Sequence, residues 1–403
     1  RPAITQQHKF TISGGNKTSQ YMLTYTRNDD KGIWYGSGLK RDNFRLKLNQ
    51  EATSWMNFST NVSYIDEKTE GLGTLQEGGA YSRMQHVIQY RPTIGKNGSD
   101  EQLLIDDDDP VLLLEGASQM QSPMATIESE QRDKRNRILS INGDVQIKFT
   151  KDLSYRGTVG IRKRTINTDV FYSERSKQAK NAGAPYGWKE IEEQQNFMYN
   201  NVITWDKTFN KEHHLTLVGG QEFIQYKTDY LKAGARKFDK VNFGLADMSL
   251  GASPDKVVTL LESDKMLSYF MRANYNFKEK YLFAASVRAD GSSKFGANHK
   301  WGIFPAASFA WRASEEDFIK ELGVFSNLKL RLSYGTAGNN KINNYLSLSK
   351  MGSVWIPYNG ESTVAGFVSK QLHNPDLQWE TNVTANLGVD VGFLNQRIQL
   401  SVD

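Results

Sequence analysis

The sequence predicts an all-β fold: an antiparallel transmembrane β-barrel of which about fourteen strands are present, spanning 1–403 as one unit. Three observations predict it. First, residues 265–336 divide into four runs of period two, in which apolar side chains occupy every second position. Second, these runs are about ten residues long, which suits a tilted strand crossing a bilayer, with aromatics closing the apolar faces and charge on the opposite faces. Third, the connections alternate between short and long along the chain, as in barrels with short turns at one rim and long loops at the other.

The four central runs show the pattern best. Leu267, Tyr269, Met271, Ala273, Tyr275 and Phe277 share a face opposite Ser268, Arg272, Asn274 and Asn276. Tyr281, Phe283, Ala285 and Val287 oppose Ser286, Arg288 and Asp290. Trp301, Ile303, Ala307, Phe309 and Trp311 oppose Gly302, Ala306, Ser308 and Arg312. Leu328, Leu330, Leu332 and Tyr334 oppose Lys329, Arg331, Ser333 and Gly335. A soluble sandwich also alternates, but it has no reason to keep girdle aromatics such as Trp301 and Trp311 or an asymmetric set of loops.

The flanking elements follow in order. Strands are expected at 8–14 and 21–27, around Phe44, Leu46 and Leu48, and at 56–64. An irregular stretch of 67–135 follows, long enough to be a functional outer loop. Next come strands at 137–149 and 153–164, then a loop holding Tyr172, Tyr186 and Trp188. Strands at 195–205 and 215–226 lead into a loop over 229–262. After the four central strands, a loop over 337–377 carries Trp355 and Tyr358, and the last two strands are 381–393 and 397 onward. The short connections fall near 15–20, 51–55, 150–152, 207–213, 278–280 and 394–397. Ser314, Glu315, Glu316 and Asp317 read as a capping box opening a short helix that runs to Leu322.

Composition narrows the function classes. With no cysteine, disulfide scaffolds and thiolate metal sites are excluded. The net charge of +5 comes from dispersed basic residues, so nucleic acid is not an expected partner. No apolar run reaches the roughly 18 residues of a spanning helix, a test that a barrel escapes because alternate residues face the lumen. The chain begins and stops within strand-like sequence, so it reads as an internal piece of a longer protein.

The stretches SYFMRANYNFKEKYLFAASVRADGSSKFGANHKWGIFPAASFAWRASEEDF, LKLRLSYGTAGNN and NPDLQWETNVTANLGVDVGFLNQRIQLSVD closely resemble the SusC/RagA family of TonB-linked (TonB-dependent) outer-membrane proteins. HKFTISGGNKTSQYMLTY and DNFRLKLNQEATSW are similar to it too. The resemblance implies a barrel that closes with about 22 strands around a plug, with plug and closing strands outside this chain. It implies active import of bulky nutrients, glycans or oligopeptides, across the cell outer membrane of a Gram-negative, Bacteroidetes-like bacterium. A SusD-like surface lipoprotein would act as lid, and the TonB complex would supply energy through a missing N-terminal region. The alternatives are a siderophore-type receptor, a structural or adhesive barrel without active transport, and a soluble carbohydrate-binding or hydrolase module.

No enzyme motif is present, and no catalytic residue or cofactor is expected. HExxH, P-loop, GxSxG and CxxC patterns are missing. His213 and His214 are adjacent and point to opposite faces of a strand, so no metal site is expected there. The run Asp106 to Asp109 could hold calcium but lacks EF-hand spacing, and a solvated acidic loop is the preferred reading. Substrate contact is expected from the loop aromatics Trp34, Tyr35, Tyr172, Trp188, Trp355 and Tyr358, whose rings can stack on sugars or pack against a lid. Arg156, Arg162, Arg272, Arg288, Arg312, Lys329 and Arg331 fall on the polar faces and are expected to line the lumen. Their contact with a plug is implied by the resemblance alone.

Overall fold

The computed structural model describes residues 3–33, 35–71, 127–358 and 362–403. One antiparallel sheet dominates. Its strands are β1 (Thr5–Gly15), β2 (Ser19–Lys31), β3 (Gly38–Thr53), β4 (Met56–Glu70), β5 (Glu130–Lys148) and β6 (Leu153–Tyr172). They continue as β7 (Tyr186–Phe209), β8 (His213–Phe238), β9 (Gly251–Pro254), β10 (Val258–Phe277), β11 (Tyr281–Ser292), β12 (Trp301–Arg312) and β13 (Phe325–Asn339). A separate hairpin, β14 (Lys350–Tyr358) and β15 (Ser362–Gln371), precedes β16 (Glu380–Phe393) and β17 (Ile398–Val402). The sheet runs in chain order from β1 to β17, with β10 following β8 and β16 following β13, and the short β9 pairs only with β8. That path holds the fourteen strands the alternation predicts.

The register explains how the sheet sits in its surroundings. Ile12, Leu23, Leu46, Val62, Ile141, Ile161 and Phe197 stand opposite one another across seven strands, an unbroken apolar row. Farther along, Phe309, Leu332 and Leu387 continue such a row on β12, β13 and β16. Ile12, Ile161, Phe283, Ile303, Leu332 and Leu387 are all exposed. A water-facing sheet could not leave so continuous an apolar face uncovered, whereas in a bilayer that face is solvated by acyl chains.

The strands are longer than alternation indicates. β7 and β8 have 24 and 26 residues. At roughly 3.4 Å per residue, 26 residues reach roughly 85 Å, well beyond a hydrocarbon core about 30 Å thick even when tilted. Past the apolar band both faces meet water or local cover, so the period-two signal ends before the hydrogen bonding does. Tyr172, Tyr186 and Trp188, expected in a loop, therefore lie on β6 and β7. The expected loop over 229–262 shrinks likewise, because β8 runs on to Phe238 and β10 begins at Val258.

This projecting part has its own small cores on both sides. Val170 and Tyr172 point to one face and pack with Tyr186, Trp188 and Ala179 of α1 (Lys177–Ala182). Phe171 points to the other and packs with Ala235, Phe238 and Leu245, the last carried by a short 3-10 helix, Val241–Ala246. α1 is defined by its ends: the Ser176 side chain accepts the Ala179 N–H at 3.0 Å, and Gly183 closes the helix at φ 77°.

At the opposite rim the turns are tight. Asn210 and Lys211, and Lys278 and Glu279, take paired positive φ values of 51–62°, the hairpin geometry whose twist matches the flanking strands. The β12–β13 connection departs from the expected capping box. A 3-10 turn (Ala313–Glu315) precedes α2 (Asp317–Lys320), whose N-cap is Glu316 without a side-chain cap. The Glu316 carboxylate bonds elsewhere: it accepts Tyr281 Oη at 2.7 Å, Lys280 Nζ at 3.0 Å and Trp311 Nε1 at 3.2 Å. Those three donors hold it as the anion, with its pKa pushed down to about 2.

Candidate functional site: the polar face and the long-loop rim

The polar face carries the cations expected there, and most are already paired. Arg156 reaches Asp144 at 3.3 Å, and Asp144 also accepts the Ser59 hydroxyl. Arg288 bridges Glu222 at 2.8 Å and Asp290 at 2.6 Å, with its guanidinium 5.6 Å from the Phe270 ring centre. Arg331 grips Asp390 through two bonds of 2.9 Å and lies 2.9 Å from Asp403. Arg272 donates to Asn274 at 3.0 Å. Arg312 sits at the short-turn rim, reaching Glu315 at 3.3 Å and the Glu279 carbonyl at 3.2 Å. Among the described residues, Arg162 and Lys329 have no carboxylate within the 4.0 Å of an ion pair.

Register places Arg156, Val202, Gly220, Phe270, Arg288 and Phe304 along one line of this face. Arg312 stands opposite Lys329, and Lys329 opposite Asp390, so that carboxylate offsets a cluster of three cations with Arg331. Arg156, Arg288, Arg312 and Arg331 are thus paired with carboxylates, whereas Arg272 meets an amide and Arg162 and Lys329 have no ion-pair partner among the described residues.

Sequence reasoning missed the shape of this face. Ala284, Ser286, Ala306, Ser308, Ser333 and Gly335 form the floor of a hollow of about 450 Å³ edged by Arg272. A neighbouring hollow of about 490 Å³ reaches His214, Asn274, Asn276, Lys329, Arg331 and Asn386. The signal was present as a run of small residues at the non-apolar positions of three adjacent strands, which single-strand alternation does not register.

The aromatic residues fare unevenly. Tyr35 is 59% exposed and borders a cleft of about 650 Å³ at the long-loop rim, with Ser37, Glu70, Arg132, Asp133 and Phe171. Tyr172 is only 5% exposed, its ring centre 5.0 Å from that of Tyr186 and 5.8 Å from that of Trp188. Trp188 donates to Glu190 at 2.9 Å, and Lys232, itself 3.0 Å from Glu190, lies 4.0 Å over the indole. Arg236 covers Tyr186 at 5.4 Å and pairs with Asp255 at 2.9 Å. The faces of Tyr172 and Trp188 are therefore occupied by the protein, and these two build the rim. Trp355 and Tyr358 lie within the 337–377 connection, on β14, opposite Ala365 and Ser362 of β15. Trp34 and Asp106 to Asp109 lie outside the described residues.

The fold and this geometry have counterparts. The family described as TonB dependent receptor-like, beta-barrel, matches residues 106–403. TonB-dependent receptor P39 of Formosa agariphila is 28% identical over 400 residues, covering 99% of this chain and 36% of that protein. TonB-dependent receptor SusC of Bacteroides thetaiotaomicron is 25% identical over 434 residues, covering 100% of this chain and 41% of that protein. The chain thus spans about two fifths of the length of such relatives. Among solved structures, the RagAB peptide transporter superposes with a TM-score of 0.81 at 22% identity over 98% of this chain and 43% of the other. The pyoverdine-bound FpvA of P. aeruginosa gives a TM-score of 0.55 at 9% identity, covering 98% and 46%.

Proposed function

The chain belongs to the TonB-dependent receptor-like β-barrel family, and from that premise we propose that it forms much of the wall of an outer-membrane importer of bulky nutrients, glycans or oligopeptides. The observation that carries the reading is the two-faced sheet: a continuous, mostly exposed apolar row on one side and polar groups with small-residue hollows on the other. The first face meets lipid and the second lines the lumen. In this reading the short turns face the periplasm and the long connections face outward.

The wall does no bond-breaking chemistry. Arg156, Arg272, Arg288, Arg312 and Arg331, held by partners on the wall or its rim, present hydrogen-bond groups to the plug or cargo, and Arg162 and Lys329 offer the less neutralised positive charge. Tyr35, Trp355 and Tyr358 stand at or near the outer rim, where cargo or a lid first meets the protein. A SusD-like surface lipoprotein serves as that lid, and TonB acts through a plug in the part of the protein beyond this chain. The naming of SusC and of a peptide transporter among similar proteins supports the glycan or peptide branch. The siderophore branch finds less support, since FpvA superposes far less closely than RagAB.

The test is membrane fractionation of cells carrying the full-length protein, with protease shaving of intact cells. Recovery in the outer membrane, cleavage in 337–377 and protection of the turn at 278–280 are expected. Recovery in a soluble fraction, or cleavage at 278–280 in intact cells, overturns the reading.

A further inference from the structure

The lipid-facing side of the sheet is not symmetrical between its two rims. Toward the long loops, the apolar runs of four strands end in cations: Arg27 follows Tyr25, Arg137 follows Leu139, Lys163 follows Ile161, and Lys265 follows Leu267, each one step along the same face, whereas those of β3 and β4 end in Asp42 and Asp66. On β8 the first cation past Phe223 is Lys227, with Gln225 between them. Toward the short turns the same face ends mostly in rings, such as Phe277, Tyr281 and Trp311, with Lys207 beside Trp205 the exception.

Two of these cations form a pair. Lys227 stands opposite Ser263, and Gln225 opposite Lys265, so the two lysines are diagonal neighbours across β8 and β10, roughly 7 Å apart. Arg27 is neutralised by Asp42 at 3.1 Å and Lys163 by Glu193 at 3.0 Å. Among the described residues, neither Lys227 nor Lys265 has a carboxylate within the 4.0 Å of an ion pair. The nearest acids on this face, Glu193 and Asp229, stand opposite each other one step farther from the apolar band. Gln195 and Gln225 add amide donors beside the lysines, and Phe197, Phe223 and Leu267 lie immediately below.

Two lysines rooted this far apart on adjacent strands can bring both ammonium groups to one phosphate, and amide donors can take its remaining oxygens. The rings and Leu267 beneath offer acyl chains a surface continuous with the rest of the apolar band. We propose that Lys227 and Lys265 form a binding site for the phosphate of a phosphorylated glycolipid in the outer leaflet. The site rests on the orientation proposed above, with the long-loop rim at the cell surface. Its consequence is an annular lipid fixed beside the outer connection between β8 and β10, anchoring that arc of the rim.

The test uses the full-length protein in detergent, with bound lipid read by native mass spectrometry. The probes are monophosphoryl lipid A, its dephosphorylated form and inorganic phosphate. The wild type is expected to retain the phosphorylated lipid, and K227Q/K265Q to retain it about thirtyfold less, from roughly 1 kcal/mol for each of the two interfacial lysines. K207Q, at the other rim, should change nothing. K227R/K265R keeps both charges and should retain the lipid, which separates loss of the site from loss of folding. Equal retention by wild type and K227Q/K265Q, or equal retention of the dephosphorylated form, overturns the site. Displacement of the lipid by millimolar inorganic phosphate assigns the lysines to free anions and overturns the lipid source. A protein that stays soluble without detergent overturns the membrane reading itself, an outcome distinct from the others.

Discussion

Phe304 offers the sharpest test of how this wall is packed. Its side chain is 7% exposed, and its ring lies against two glycines and the indole of Trp379, 5.4 Å away edge to face. A Cβ on Gly338 would fall 2.2 Å from Phe304 Cζ, and a Cβ on Gly302 would fall 2.5 Å from it. Neither glycine has a positive φ, so each is there for space rather than for backbone freedom. Gly338→Ala must therefore push the ring from its seat, and overpacking of this kind costs about 1–3 kcal/mol. Phe304→Ala empties the seat, at about 3–5 kcal/mol for a buried ring. The combination decides the cause. If the penalty of G338A is the collision with Phe304, adding it to F304A costs almost nothing more, and the double-mutant cycle returns a coupling of about 1–3 kcal/mol. The assay is urea unfolding of the refolded full-length protein in micelles, followed by tryptophan fluorescence. Additive penalties would refute the reasoning, because Gly338 would then be required for some reason other than the ring.

Further outcomes follow from the rims. Glu316, held near a pKa of about 2 by Tyr281, Lys280 and Trp311, contributes its anchoring fully above the ordinary carboxylate pKa and loses it as pH falls toward 2. Proteolysis of the 313–323 connection should thus stay slow at pH 4, and E316Q should make it fast at neutral pH; a pH-independent E316Q phenotype matched by wild type would refute the anchor. Ser176→Ala removes the cap of α1 and should cost about 1 kcal/mol locally, seen as faster hydrogen exchange at Ala179 and Lys180 with the transmembrane strands unchanged. Trp188→Ala should loosen the β6–β8 projection, freeing Lys232 and Glu190, while cargo affinity changes less than for Tyr35→Ala. A larger affinity loss from W188A than from Y35A in transport assays would restore Trp188 as a contact residue.

The sequence by itself determined the class of fold and the pairing order. Alternation and loop asymmetry suffice for that because each lipid-facing strand must hide its backbone bonds and expose apolar side chains at every second position, a constraint each strand such as 281–292 records on its own. The polar-face positions of Arg156, Arg288 and Arg331 follow from the same parity. Their partners did not, since Asp144, Glu222 and Asp390 become neighbours only through the register of adjacent strands. Strand ends were illegible beyond the bilayer, where water meets both faces and the period fades. That is why Tyr172 and Trp188 read as loop residues yet proved to be packed strand residues under α1. Glu316 shows the same limit: its local motif pointed to a helix cap, and only the tertiary structure brought Lys280, Tyr281 and Trp311 close enough to claim its carboxylate. Side chains on separate strands compete for one partner by distance, and distance between strands is set by the whole sheet.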